Sequence, residues 1–188
     1  PSTEKPPMIL FLHGAGERGS DIEDVKRHGL PKEIEAGREL PFVTVSPQCE
    51  EGAMWDADAL GCLVDEVARA QDVDPTRIYV TGLSMGGRGT WELAVRYPKR
   101  FAAIAPVCGW AHPLWARRVR RMGVWVFHGA LDAVVRMEKT LNIIRELKAL
   151  HADVSFTVYP MATHDSWTET YANPDLYDWF LARRTRGE

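Results

Sequence analysis

Arg77-Ile78-Tyr79-Val80-Thr81-Gly82-Leu83-Ser84-Met85-Gly86 is the stretch that decides how this chain is read. Residues 77–81 form a β-branched and aromatic run that predicts a buried strand, and the spacing over 88–95 predicts a helix. Gly-x-Ser-x-Gly at such a junction is the pattern of a nucleophile elbow. The turn is tight enough to strain the serine, and a side chain at Gly82 or Gly86 would meet the neighbouring strand or helix. The Ser84 hydroxyl is therefore expected at the carboxyl edge of a sheet, at a helix amino terminus where free N–H groups favour negative charge.

Outward from the elbow, apolar strand runs alternate with helical patterns. Met8-Ile9-Leu10-Phe11-Leu12 reads as a strand buried on both faces, as a parallel sheet covered by helices requires. Further strands are expected at 41–46, 101–107, 124–127 and 154–158, with helices at 31–36, 56–70, 137–150 and from Asn173-Pro174 through Leu181. The expected fold class is α/β: a mostly parallel, doubly wound sheet of about six strands in one domain spanning 1–188, with 1–7 as a loose amino-terminal arm. Roughly a dozen residues separate Trp110 from Val124, too few for a lid, so an open site is expected. Right-handed crossovers bring the loops after the strands to one sheet edge, where α/β folds bind ligands.

With 188 residues, 45% of them hydrophobic, the chain suffices for one core. Its 23 basic and 26 acidic residues give a net charge of −3, which offers no field for nucleic acid. The Arg117-Arg118-Val119-Arg120-Arg121 run reads as a solvated helix face. No apolar run reaches membrane-span length and no signal peptide is visible. The chain begins at Pro1, which leaves room for a removed leader, so the compartment is open between cytoplasm and export. Cys49, Cys62 and Cys108 form no metal-binding spacing and read as three small buried thiols, with Cys62 on the apolar face of its helix. No metal and no cofactor are expected, and oligomeric state is not legible.

Candidate partners for Ser84 follow in the order Ser, Asp, His that an elbow fold requires. Asp132 lies on the loop after the strand at 124–127, and His164 lies just beyond the last strand. Asp56 and Asp58 precede the serine, and Asp165 is a sequence neighbour of His164. His13 and His128 stand beside glycines after strands and are expected to brace loops. His13-Gly14-Ala15-Gly16-Glu17-Arg18-Gly19 holds three glycines in seven residues, which lets backbone approach a reacting group; its spacing matches neither common phosphate-binding loop.

The chain resembles the α/β-hydrolase superfamily. More narrowly, it is similar to the phospholipase/carboxylesterase and dienelactone-hydrolase-like esterases, including bacterial predicted peptidases of prolyl-oligopeptidase type. The resemblance runs over nearly the whole chain. It is carried by Leu12-His13-Gly14-Ala15-Gly16-Glu17-Arg18-Gly19, by Ser46-Pro47-Gln48-Cys49 with Trp55, by the elbow with Gly87 and Gly89-Thr90-Trp91, and by His164-Asp165-Ser166-Trp167. It implies ester hydrolysis by a Ser84–His164–Asp132 triad, with the oxyanion hole formed by the N–H groups of Ala15 and Met85. Two departures stand out. Relatives carry two further strands before the one at Met8, and Arg88 replaces an expected aromatic residue.

These features lead to a small-molecule ester substrate with a short-chain or aromatic acyl group. Trp55, Trp110 and Trp167 are candidate pocket walls, and Arg88 a candidate site for a substrate carboxylate. A serine peptidase and a non-catalytic binding protein on the same scaffold are the alternatives.

Overall fold

The computed structural model describes residues 4–185. Six strands, β1 (Met8–Leu12), β2 (Val43–Val45), β3 (Ile78–Leu83), β4 (Ala103–Val107), β5 (Gly123–Gly129) and β6 (Val154–Tyr159), form one sheet in the order β2-β1-β3-β4-β5-β6. Every pairing is parallel. The helices are α1 (Gly29–Glu35), α2 (Ala57–Ala70), α3 (Met85–Arg96), α4 (Ala116–Val119), α5 (Glu138–Ala149), α6 (Trp167–Ala172) and α7 (Asp175–Leu181).

Strand alternation divides the core into two layers. Met8, Leu10 and Leu12 pack with α2, α3 and α5 side chains such as Val64, Trp91 and Leu147. Ile9 and Phe11 face the opposite layer, with Tyr171, Leu176 and Phe180 from α6 and α7. All five β1 residues are fully buried, which explains an apolar run without alternation. The chain winds from β1 outward to β2 and then returns to β3 on the other side of β1. The carboxyl ends of β1 and β3 therefore flank the switch point of the sheet, where a crevice opens.

Several boundaries and burials differ from expectation. Residues 4–7 are tied down: Arg77 donates to the Lys5 carbonyl at 2.6 Å, and the Pro6 and Pro7 carbonyls accept from Asp74 N–H and Val43 N–H at 2.9 Å each. The loose-arm expectation is corrected there, and its first three residues lie outside the described ones. Cys62 is exposed, because α2 buries Leu60, Gly61 and Val64 and position 62 falls on the opposite side; Cys49 and Cys108 are buried, and all three are free thiols. The interval between β4 and β5 holds only a short turn of 3-10 helix at Pro113–Trp115 and the one-turn α4, with the arginine run exposed. Among the described residues, no helix is long and apolar enough to cross a membrane.

Candidate active site

Ser84 occupies the turn between β3 and α3 with φ 52° and ψ −112°, a conformation that costs a non-glycine residue about 1–3 kcal/mol. The surroundings impose it. Ser84 N–H donates to the Val107 carbonyl at 2.9 Å, and its carbonyl accepts from Arg88 N–H at 3.0 Å. A Cβ at Gly86 would come within 1.8 Å of the Leu12 carbonyl oxygen, and one at Gly82 within 2.6 Å of the same atom. The two glycines thus let α3 start directly against the end of β1.

His164 and Asp132 arrive from the loops after β6 and β5. His164 Nε2 lies 2.9 Å from Ser84 Oγ, and His164 Nδ1 lies 2.7 Å from Asp132 Oδ2. Asp132 Oδ1 accepts from Val134 N–H and Val135 N–H, at 2.9 Å each. Asp132 is buried, whereas Ser84 and His164 are partly exposed, so the serine end of this chain of hydrogen bonds opens to solvent. The competing acids are committed elsewhere: Asp56 caps α2, Asp58 pairs with Arg96 and Tyr97, and Asp165 caps the start of α6 through Thr168.

The loop after β1 is braced from several directions. Glu17 is buried and accepts from Gly14 N–H at 2.9 Å, while Gln48 donates to the Glu17 and Asp21 carbonyls. His13 Nε2 accepts from Cys49 N–H at 2.9 Å, and burial holds its imidazole below the usual pKa. Ala15 and Met85 each begin a helical turn, so their N–H groups have no intrahelical acceptor. The bracing by Glu17 and Gln48 is not legible in the sequence, because a buried carboxylate inside a glycine-rich loop has no local signature.

The aromatic candidates separate into three situations. Trp167 stands edge-on to His164, with ring centroids 5.4 Å apart, and its other neighbour is His28 at 5.5 Å. Trp110 and Trp115 lie beside the Arg88 guanidinium at 5.1 and 5.9 Å, and Arg88 also pairs with Glu92 at 2.6 Å. Arg88, Trp110 and Trp115, with Lys139 and Asn142, line a cavity of about 410 Å³ next to α3. Trp55 is only 9% exposed, donates its indole N–H to the His13 carbonyl and packs against Gly89. Trp55 therefore braces the loop after β1, and with Gln48, Cys49 and Met54 it also lines a cavity of about 340 Å³.

Among the described residues, one group of three metal-capable side chains occurs: Cys108, Asp132 and His164, whose ligand atoms lie within 4.8 Å of one another. Asp132 and His164 are bonded to each other, and burial pushes the Cys108 thiol up to about 12, which keeps it protonated. That donor set suits a hydrogen-bonded relay better than a cation.

The parallel switch-point sheet, the strained serine and its two partners define an α/β-hydrolase fold. Residues 31–178 match the Dienelactone hydrolase family, and the chain belongs to it. It is 33% identical over 115 residues to NocK of Nocardia uniformis subsp. tsuyamanensis, covering 55% of this chain and 33% of that protein. It is 22% identical to the Arabidopsis thaliana carboxylesterase SOBER1, over 96% of this chain and 91% of that one. A crystal structure of a thermostable esterase superposes with a TM-score of 0.84 at 28% identity, covering 97% of this chain and 56% of the other. The chain spans between a fifth and a third of the length of the first curated relatives it matches.

Proposed function

We propose that this chain is a carboxylic ester hydrolase working through an acyl-enzyme on Ser84. The observation that carries the reading is the continuous Ser84–His164–Asp132 hydrogen-bond chain, at 2.9 and 2.7 Å, ending on a strained serine at the start of α3. Esterases among the relatives and solved structures support it. His164 Nε2 takes the hydroxyl proton as Ser84 Oγ attacks the ester carbonyl, and returns it to the departing alcohol. Asp132 fixes the Nδ1–H tautomer and stabilises the imidazolium. The oxyanion meets the N–H groups of Ala15 and Met85, where one lost donor costs about a hundred- to thousandfold in rate. Water admitted through the exposed serine side then repeats the sequence on the acyl-enzyme. No cofactor is required by these steps.

The substrate is a small ester with a short-chain or aromatic acyl group, lying against Trp167. The Arg88–Trp110 cavity is the place for a substituent of the substrate, with Arg88 favouring a carboxylate there. Hydrolysis of nitrophenyl esters from acetyl to long-chain, with Ser84→Ala as control, tests the reading. Turnover of the short esters that vanishes in Ser84→Ala is expected; a folded protein that turns over no ester, or a Ser84→Ala variant as active as the parent, overturns it.

A further inference from the structure

His128, at the end of β5, is fully buried and lies outside the relay just described. Its Nε2 is 2.7 Å from the Val135 carbonyl and 3.2 Å from Asp132 Oδ2. A carbonyl can only accept, so Nε2 carries a proton directed at Val135, and Asp132 Oδ2 at 3.2 Å is its second, longer contact. On the other side of the ring, Nδ1 is 3.1 Å from Thr140 Oγ1, which donates to the Gly109 carbonyl at 2.7 Å. Gly109 in turn is packed so tightly on α3 that a Cβ there would meet the Gly87 backbone at 2.4 Å. The ring is thus packed between the loop carrying Asp132 and Thr140, and its polar tie, Nε2–H, runs to the Asp132 loop.

An ionised carboxylate offers about four acceptor positions. In Asp132, Val134 N–H and Val135 N–H serve Oδ1, and His164 Nδ1 serves Oδ2. The remaining position on Oδ2 faces His128. We propose that His128 is a positioning residue for the reaction: its Nε2–H holds Asp132 Oδ2 from the side away from His164, so that the buried carboxylate cannot rotate out of line with the imidazole. This rests on the catalytic reading of Ser84, His164 and Asp132. The titratable groups around the ring are Asp132 and His164, with Glu138 at longer range. Burial lowers the basicity of His128 while the Val135 carbonyl and Asp132 oppose that effect, and its donor role needs only the Nε2 proton that the Val135 carbonyl already fixes.

Two substitutions separate donation from packing. His128→Gln retains an amide N–H that reaches toward Asp132, and His128→Leu retains volume without a donor. With nitrophenyl acetate as substrate, His128→Leu is expected to lower kcat by about ten- to hundredfold at nearly constant KM, the range for a lost hydrogen bond to a charged group. The acid limb of its kcat/KM profile moves to higher pH, because a carboxylate with one donor fewer holds the shared proton more tightly. His128→Gln stays within about threefold of the parent. A folded His128→Leu with the kcat and pH profile of the parent, or a His128→Gln as impaired as His128→Leu, overturns the proposal.

Should His128→Leu fail to fold, His128→Phe keeps a planar ring without a donor, and an unchanged kcat and pH profile there overturns the proposal equally. The low-field proton resonance of the His164 Nδ1–H···Asp132 bond gives a readout independent of turnover. It shifts in His128→Leu or in His128→Phe if His128 acts through Asp132, and stays fixed if it does not, even in a protein whose esterase activity proves absent.

Discussion

Replacing Gly86 by alanine tests the contact on which the elbow depends. The added Cβ would lie 1.8 Å from the Leu12 carbonyl oxygen and 2.7 Å from that of His13, against a practical minimum of 3.0 Å, so α3 must retreat from the end of β1 by about 1.2 Å. Both obstructing atoms are backbone, one at the end of a strand buried along its whole length and one in the buried residue just after it, so neither can swing aside. Met85 begins the helix that moves, and Ala15 belongs to the loop after the strand that stays. The displacement therefore opens the gap between the two proposed oxyanion donors. A misplacement of about 1 Å costs roughly a hundredfold, and loss of one donor about a hundred- to thousandfold. Gly86→Ala is accordingly expected to lower kcat on nitrophenyl acetate at least a hundredfold with KM changed only a few-fold. Overpacking by about 1–3 kcal/mol would lower Tm by roughly 2–12 °C. Gly61→Ala serves as control: its Cβ would press on the Tyr97 ring at 2.8 Å, far from the elbow, and should affect Tm without the fall in kcat. A folded Gly86→Ala enzyme retaining more than a third of the parental kcat would refute the argument.

The remaining predictions concern specificity, acid stability and thiol access. Arg88→Ala should raise KM for carboxylate-bearing esters about fivefold and leave neutral esters unchanged, the effect of one partly exposed cation; equal changes for both classes would remove the carboxylate role. Burial pushes the Asp74 carboxyl up, but donors from Thr76, Arg77 and Arg184 outweigh it and leave the folded pKa below the usual value. Its stabilisation is therefore complete above the unfolded value of about 3.9 and is lost as pH falls through the lower folded value. Asp74→Asn should reduce Tm at neutral pH by about 3–10 °C and flatten its decline below pH 4, and parallel melting curves of parent and variant in acid would contradict this. Iodoacetamide at pH 8 should add one group to the folded protein, at Cys62, and three after denaturation, read by mass spectrometry; a second adduct on the folded chain would show that Cys49 or Cys108 is reachable.

Local chemistry was the legible part of this chain. The elbow is contiguous, and its glycines and serine belong to one turn, so its pattern was readable in residues 82–86, whereas the Leu12 and Val107 contacts that impose its geometry were not. The alternation of apolar runs with helical spacing gave the parallel α/β class, because strands buried on both faces leave no polar stripe. Chain order selected Asp132 and His164 from the other acids and histidines. Cys62 was misread because periodicity reports which residues are apolar, whereas burial and orientation depend on what each face meets. The bond from Trp55 to the His13 carbonyl, in the loop after β1 and 42 residues away, was illegible for the same reason.

By itself, then, the sequence determined the fold class, the turn that carries Ser84 and the identity of its two partners. Only the tertiary structure decided their alignment, since Asp132 and Ser84 reach His164 across separations of 32 and 80 residues. It alone decided that Arg88 lies beside Trp110 and Trp115, that Glu17 holds the loop after β1, and that His128 lies 3.2 Å from Asp132. Hydrogen bonds of 2.7–2.9 Å are short-range, and which atoms come that close is fixed by sheet order and register, quantities distributed over the whole chain.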